Sequence, residues 1–407
     1  MIAFHFPPGL GGSGVQRTLR FVRYLPEFGW QPIVLTAHTR VYPRTALDQM
    51  ADVPSATPVV RAPGWDAARH FSVGKRYPAF LARPDRWISW WLGAVPAGLH
   101  LIRKYRPTAL WSTYPIATAH RIGNTLARLS RLPWIADFRD PMAQDGYPTD
   151  PAVWQSYARV ERASVERARA CTFTTPGALR EYQARYPARQ QQMTLLENGY
   201  DEEVFADVPV DDAPLNVGLR TILHSGIVYP SERDPTQLFA ALALLRDRQA
   251  EIFAQLRIRF RSPVHGNLLH QLATTYGVQS AIEVLPPVEY RAALGEMLRA
   301  DALLILQAAN CNAQVPAKIY EYMRARRPVL ALTDPAGDTA QVARDAGISA
   351  IAPLVKAEAI AQLLARFVAE PASGSMPDEL AIAKASRRGR TEQLARLLDH
   401  AVDTRRT

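Results

Sequence analysis

A chain of 407 residues, 48% hydrophobic and 21% charged, exceeds what one ordinary core accommodates and is expected to fold as two domains. Lys and Arg outnumber Asp and Glu by 48 to 38, a net charge of +10, which favours an anionic partner, and the absence of an apolar run of about 18 residues argues against a membrane-spanning helix. Two cysteines, Cys171 and Cys311, cannot build a metal cluster alone and fit a reducing compartment. With no signal-peptide pattern at the start, the expected location is cytoplasmic, with peripheral contact to the inner face of an anionic membrane.

Through the first half, short apolar runs alternate with helical stretches. Strands are expected at residues 2–6, 32–36, 59–61, 109–112, 134–137 and 170–174, and helices at 16–28, 116–129 and 154–169. Near-continuous apolar strands separated by helices specify a parallel sheet covered on both faces. The acidic stretch "DEEVFADVPVDDAPLNVGLR" (201–220) has two prolines and no helical period, and reads as a linker. The rhythm then restarts, with strands at 221–223, 257–261, 281–285, 302–306, 328–332 and 348–351 and helices at 235–246, 288–298 and 317–325. The expected fold class is α/β, two doubly wound Rossmann-like domains facing across a cleft: residues 1–200, a linker at 201–220, residues 221–375, and a helical tail at 376–407 that packs back on the N-terminal domain.

Residues Gly9 to Gly14 spell G-x-G-x-x-G. A dinucleotide fingerprint also needs an acidic residue at the end of the second strand, and that strand ends "IVLTAHTR". A Walker loop needs Lys-Ser/Thr where Val15-Gln16 stand. What remains is either a structural turn or an amide-rich helix start facing an anion. In "ILHSGIVYPSERDP", Gly226 ends a strand and Arg233 follows seven residues later. In "VPAKIYEYMRARRPVLAL", Pro316 suits a first helical turn, and Lys318 and Glu321 share a face. That pair suits a diphosphate and a ribose diol, or forms a solvated ion pair. "WIADFRDPM" sets Asp137, Arg139 and Asp140 beyond a strand's carboxyl end, where α/β proteins bind ligands; a local ion-paired loop is the alternative. No Asp-x-Asp and no paired-histidine spacing occurs, so no metal is expected. The Trp-rich stretch at 84–107, ending in Arg103, Lys104 and Arg106, reads as a membrane-interface helix or as a core helix with a basic end.

These motifs, in this order, resemble glycosyltransferase family 4, with its two-domain GT-B fold and retaining chemistry, in the branch that makes bacterial surface polysaccharides. "FPPGLGGSGVQRTLRFVRYLPEFGWQPIVLT" is similar to the family's opening strand, glycine loop and first helix. "LWSTYPIATAHRIG" and "PWIADFRDPM" are similar to its middle motifs, and "LLENGYDEEVF" to its Asn-Gly-x-Asp element. The resemblance implies a retaining transfer of a hexosyl or N-acetylhexosaminyl group from a nucleoside diphosphate, UDP by default, to a saccharide or lipid-linked acceptor. No cofactor or nucleic acid is implied. Donor binding would fall to Gly12, Gly14, Gly226, Arg233, Val288, Lys318 and Glu321, with the base near residues 285–288. Arg233, Lys318 and Asp140 would carry catalysis; Ser13, Arg17, Tyr114, Asp137 and Arg139 would line the cleft or meet the acceptor. Two positions depart from the family pattern. Ala313 stands where the first carboxylate of its E-x7-E pair falls, and "STYP" (112–115) replaces a histidine-bearing loop. A non-catalytic nucleotide-sugar-binding protein and a nucleotide-sugar epimerase remain alternative readings.

Overall fold

The computed structural model describes residues 1–9, 13–45, 48–72, 74, 76–209 and 211–403. The chain forms two compact units, one of residues 1–198 with 387–407 and one of residues 199–386. Each is a parallel α/β structure.

In the N-terminal unit, β1 (Val34–Ala37) pairs with β2 (Val59–Ala62), and β3 (Leu110–Thr113), β4 (Trp134–Arg139), β5 (Ala170–Phe173) and β6 (Met193–Leu195) form a second parallel ribbon. The opening residues join them: the Ile2 N–H donates to the Trp111 carbonyl at 2.7 Å and the Leu35 N–H to that of Met1 at 2.8 Å. The strand expected at 2–6 therefore survives only as bridges from Ile2 to Leu35 and Ser112. Pro7 and Pro8 follow at once, and proline has no N–H to give a ladder. Strand β6, three residues beside a polar run, has too short a pattern to be read from sequence.

The helix Trp90–Tyr105 turns Trp90, Ala94, Gly98 and Leu101 inward. Trp90 is fully buried, and Trp87 and Trp91 pack against the same core. The tryptophans serve the interior, which removes the basis for a membrane-dipping helix. Among the described residues, no helix is long and apolar enough to cross a membrane.

The C-terminal unit has a six-stranded parallel sheet in the order β12-β11-β10-β7-β8-β9, built from β7 (Arg220–Ser225), β8 (Leu256–Arg261), β9 (Ile282–Leu285), β10 (Ala302–Gln307), β11 (Val329–Thr333) and β12 (Ile351–Ala352). Along β10, Ala302, Leu304 and Leu306 enter one core cluster and Leu303 and Ile305 the other. Both faces are covered, which is why the strand reads as an unbroken apolar run.

Two boundaries differ from expectation. The segment read as a linker contains the helix Glu202–Ala206, started by the Asp201 carboxylate accepting from the Glu203 N–H at 3.3 Å. Its Phe205, with Val208 beyond it, is buried in the C-terminal unit's core. One and a half turns are too few to show a period, and the acidic residues that suggested a linker suit a helix start. The expected tail divides: the helix Glu379–Lys384 belongs to the C-terminal unit, whereas Arg387–Asp403 packs in the N-terminal unit, with Leu394 and Leu398 against Phe21 and Leu25.

Candidate functional site

In the C-terminal unit the carboxyl end of β7 runs His224, Ser225, Gly226. Gly226 has φ +107° and donates its N–H to the Arg261 carbonyl at 2.8 Å. That conformation is open to glycine alone, and it turns the chain away from the strand end. Into the space steps Lys318, the first residue of the helix Lys318–Arg324. Its Nζ donates to the Ser225 carbonyl at 2.7 Å and to His224 Nε2 at 3.1 Å. The imidazole's Nδ1 lies 2.8 Å from the Leu304 carbonyl. A carbonyl only accepts, so Nδ1 carries the proton and Nε2 is the acceptor for the ammonium. Burial, then the charge of Lys318, hold His224 neutral.

Lys318 itself is deeply enclosed. Burial and then the positive charge of Arg233 lower its pKa to about 7, while Glu321, one turn along the same helix, opposes them. A cation held in such surroundings makes this strand end a candidate functional site. Arg233 donates from Nη1 to the Ile227 carbonyl at 2.7 Å, its guanidinium over the Tyr229 ring. Glu321 accepts from the Tyr290 hydroxyl at 2.6 Å. The structure thus gathers Gly226, Arg233, Lys318 and Glu321 at the carboxyl ends of the parallel strands. Val288 lies in the exposed stretch just before the helix Tyr290–Arg299.

Four residues of this site escaped sequence reasoning. His224 and Tyr322 grip the turn, Tyr322 by accepting from the Ser225 N–H at 2.9 Å. Arg261 donates to the Pro286 carbonyl at 2.8 Å and to Glu296 at 2.7 Å, fixing the segment that contains Val288. Tyr290 engages Glu321. The one available signal was a histidine inside the apolar strand "TILHS".

The backbone turn gives a direct prediction. A methyl at residue 226 would stand 3.3 Å from Lys318 Nζ, at a φ side chains rarely adopt. Gly226→Ala is expected to destabilise the C-terminal unit by about 1–3 kcal/mol, read by urea unfolding followed by amide exchange at β7.

In the N-terminal unit, the residues expected to line a cleft behave differently. Asp137 is fully buried and Arg17 nearly so. They make a two-pronged pair at 2.8 and 3.0 Å, and Thr113 and Thr172 donate to the same carboxylate at 2.8 and 2.7 Å. Arg17 also donates to the carbonyls of Leu196 and Glu197. This is a structural bolt joining the helix Ser13–Tyr24 to β3, β4, β5 and the end of β6, and it commits the Arg17 and Asp137 side chains to the interior of the N-terminal unit. Tyr114 is likewise buried, its ring edge-on to Tyr157. Tyr114 and Asp137 sit at strand ends and Arg17 on the first helix, but neither strand polarity nor helix position reveals which side chains turn inward.

Arg139 and Asp140 differ. Arg139 is buried with φ +63°, at an irregularity in the β4–β5 pairing. This left-handed backbone is costly outside glycine, and it turns Asp140 to the surface. His5 is kept neutral, with a pKa lowered to about 4 by burial and then by Arg139. Gly14 lies within the first helix, where a Cβ would meet Arg139 Nη1 at 3.0 Å. The glycine makes room for that guanidinium. Gly12 and the side chain of Ser13 lie outside the described residues.

His120, on the helix after "STYP", is buried and bonded through Nδ1 to Ser112 at 2.8 Å, a core histidine. A cavity of about 840 Å³, lined by residues including Ile33, Leu110, Trp111 and Leu398, lies at the amino ends of the strands. Ligands of parallel sheets bind at the opposite ends, and none of the expected residues lines it. Among the described residues no three His, Cys, Asp or Glu side chains group as a metal site.

Residues 11–199 match the family model of the glycosyl transferase 4-like domain. No curated protein matches the chain. Among solved structures, Anabaena Alr3699/HepE in complex with UDP is similar over 98% of this chain and 100% of its own, at 12% identity and TM-score 0.65. A glycosyltransferase from Rickettsia africae is similar over 98% and 97%, at 12% identity and TM-score 0.64. WaaG, a glycosyltransferase involved in lipopolysaccharide biosynthesis, is similar over 99% of both chains, at 14% identity and TM-score 0.58. Identities this low speak to fold alone. The chain is thus a glycosyltransferase-like protein of the GT-B fold with a glycosyl transferase 4-like domain at residues 11–199, in keeping with glycosyltransferase family 4.

Proposed function

We propose that the protein is a retaining glycosyltransferase that moves a hexosyl or N-acetylhexosaminyl group from a UDP-sugar to an acceptor hydroxyl, in the synthesis of a bacterial polysaccharide or glycoconjugate. The observation that carries the reading is Lys318: a buried ammonium, held by His224 Nε2 and the Ser225 carbonyl, with Arg233 and Glu321 close enough to shift its titration. Two cations and a carboxylate at one strand end suit a diphosphate flanked by a ribose. The HepE structures, which hold UDP, UDP with glucose and UDP-glucose, support the choice of donor, and the involvement of WaaG in lipopolysaccharide biosynthesis supports a polysaccharide setting.

In the proposed reaction the bond from the sugar's anomeric carbon to the β-phosphate oxygen breaks, and a bond to the acceptor oxygen forms on the same face. The acceptor's proton passes to the departing phosphate oxygen. Arg233 and Lys318 stabilise the charge growing on the diphosphate, which preorganised donors do without reorganisation cost. The strained end of β4, with Arg139 and the outward Asp140, is assigned to the acceptor, a saccharide or lipid-linked sugar; its delivery at an anionic membrane surface accords with the net charge of +10. No metal or other cofactor takes part.

The test is incubation of the protein with UDP-glucose, UDP-galactose and UDP-N-acetylglucosamine, with and without a glycolipid extract. UDP release and the product's anomeric configuration are read by NMR. Transfer with retention supports the reading; inversion, or binding without turnover, overturns it.

A pH dependence follows from Lys318. The free ammonium titrates near 7, and a bound diphosphate stabilises its charged form, so the complex holds the proton to higher pH. UDP-sugar affinity is expected to be level below about pH 6 and to fall above pH 7 by up to roughly tenfold per unit. Calorimetry in buffers of different ionisation enthalpy should show proton uptake on binding near pH 8.

A further inference from the structure

Glu321 does not stand alone in the C-terminal site. The Tyr290 hydroxyl donates to its Oε1 at 2.6 Å, a short bond to a charged acceptor and one of the stronger kind. Tyr290 opens the helix Tyr290–Arg299, directly after the exposed stretch that contains Val288, and its own side chain is 51% exposed. Its root is nevertheless fixed. Arg261 ties the Pro286 carbonyl before it and Glu296 on the same helix, and Arg259 pairs with Glu283 on β9 at 2.6 Å. An exposed tyrosine on an anchored root, bonded to an acidic residue of another helix, adds little to the core. It holds one side chain still.

That matters because a free glutamate has much rotamer freedom to lose when it is fixed. A partner that fixes it beforehand removes part of that cost from ligand binding. The neighbours of Glu321 define what the fixed carboxylate faces: Lys318 lies one turn earlier on its helix, and the segment 286–289 leads into Tyr290. The carboxylate therefore stands between the diphosphate cations and the stretch proposed for the base, where a nucleotide carries its vicinal diol.

We propose that Tyr290 is a positioning residue for the ribose: it holds the Glu321 carboxylate in the orientation that receives the diol, and so sets the site's preference for ribonucleotides over deoxynucleotides. This rests on the reading of the site as a nucleotide-sugar site and deepens it.

The experiment is calorimetric titration of the full chain with UDP and with 2′,3′-dideoxy-UDP, for the wild type and for Tyr290→Phe, Glu321→Ala and the double variant. Tyr290→Phe keeps the ring and removes only the hydroxyl, and thermal melting checks the fold. The expected result is UDP affinity weakened about fivefold, the worth of one hydrogen bond near 1 kcal/mol, with dideoxy-UDP affinity unchanged. In the Glu321→Ala background the tyrosine substitution should have no further effect on UDP. Equal weakening of both nucleotides, unchanged UDP affinity, or additive effects in the double variant would each overturn the proposal. If Glu321→Ala erases the wild-type preference for UDP and Tyr290→Phe does not, Tyr290 alone is misassigned. If Glu321→Ala leaves that preference intact, the ribose role of Glu321 fails, and the proposal falls with it.

Discussion

Lys318→Met is expected to lower turnover by about two to three powers of ten while leaving the protein folded, as expected for removal of one preorganised donor from an enclosed site. Methionine keeps the length and packing of the lysine stem and deletes only the ammonium. The cost to the fold is limited to two acceptors that lose their donor, His224 Nε2 and the Ser225 carbonyl, about 1–3 kcal/mol for each that water cannot reach. Lys318→Arg should rescue little. The guanidinium is planar and larger than an ammonium, and the residue stands close behind Gly226, where even a methyl would be only 3.3 Å from Nζ. The measurement is the initial rate of UDP release at saturating donor, with circular dichroism as the check on folding. Wild-type rates for the methionine variant would remove the diphosphate from Lys318.

The C-terminal site was legible because its chemistry is local in sequence. Gly226 and Arg233 flank one turn and Lys318 and Glu321 share one helix, so strand polarity and helix spacing gave each pair, and the family resemblance joined the two pairs into one site. His224, Tyr322, Arg261 and Tyr290 were not legible, because each acts across the sheet: Tyr322 reaches the Ser225 N–H 97 positions away. No local pattern encodes such a pairing. In the N-terminal unit the strand-end rule picked out Asp137, Arg139 and Asp140, and the family resemblance added Arg17 and Tyr114, but neither could separate the side chains that turn inward. The separating feature is the left-handed residue at Arg139, and arginine gives no hint of it, since a positive φ is usually advertised by glycine or asparagine. The linker was misread for a related reason. Acidic residues and prolines suggest exposed chain, yet Phe205 and Val208 are enough to seat 201–208 in the C-terminal core.

The bolt between Arg17 and Asp137 carries the largest stability prediction. Asp137→Asn is expected to cost the N-terminal unit about 3–5 kcal/mol, because it strands a buried guanidinium without its counter-charge. The asparagine amide also presents N–H groups to a guanidinium that can only donate, and one of the hydroxyls of Thr113 and Thr172 loses its acceptor. All eight tryptophans lie within residues 30–154, inside the N-terminal unit, so intrinsic fluorescence in urea reports this unit specifically. The pH dependence has a definite sign. Burial alone would raise the Asp137 carboxyl, but Arg17 and the hydrogen bonds outweigh it and hold the pKa below the ordinary 3.8. A depressed folded pKa contributes stability above the unfolded value and loses it as pH falls toward the folded one. The gap between wild type and Asp137→Asn should therefore be full at pH 7 and narrow below about pH 4. Arg17→Met combined with Asp137→Asn should cost less than the two single changes added together, by about 1–3 kcal/mol, since the second substitution removes the charge that the first strands. Additive losses, or a gap that does not change with pH, would mean that the carboxylate is not what holds Arg17 in the core.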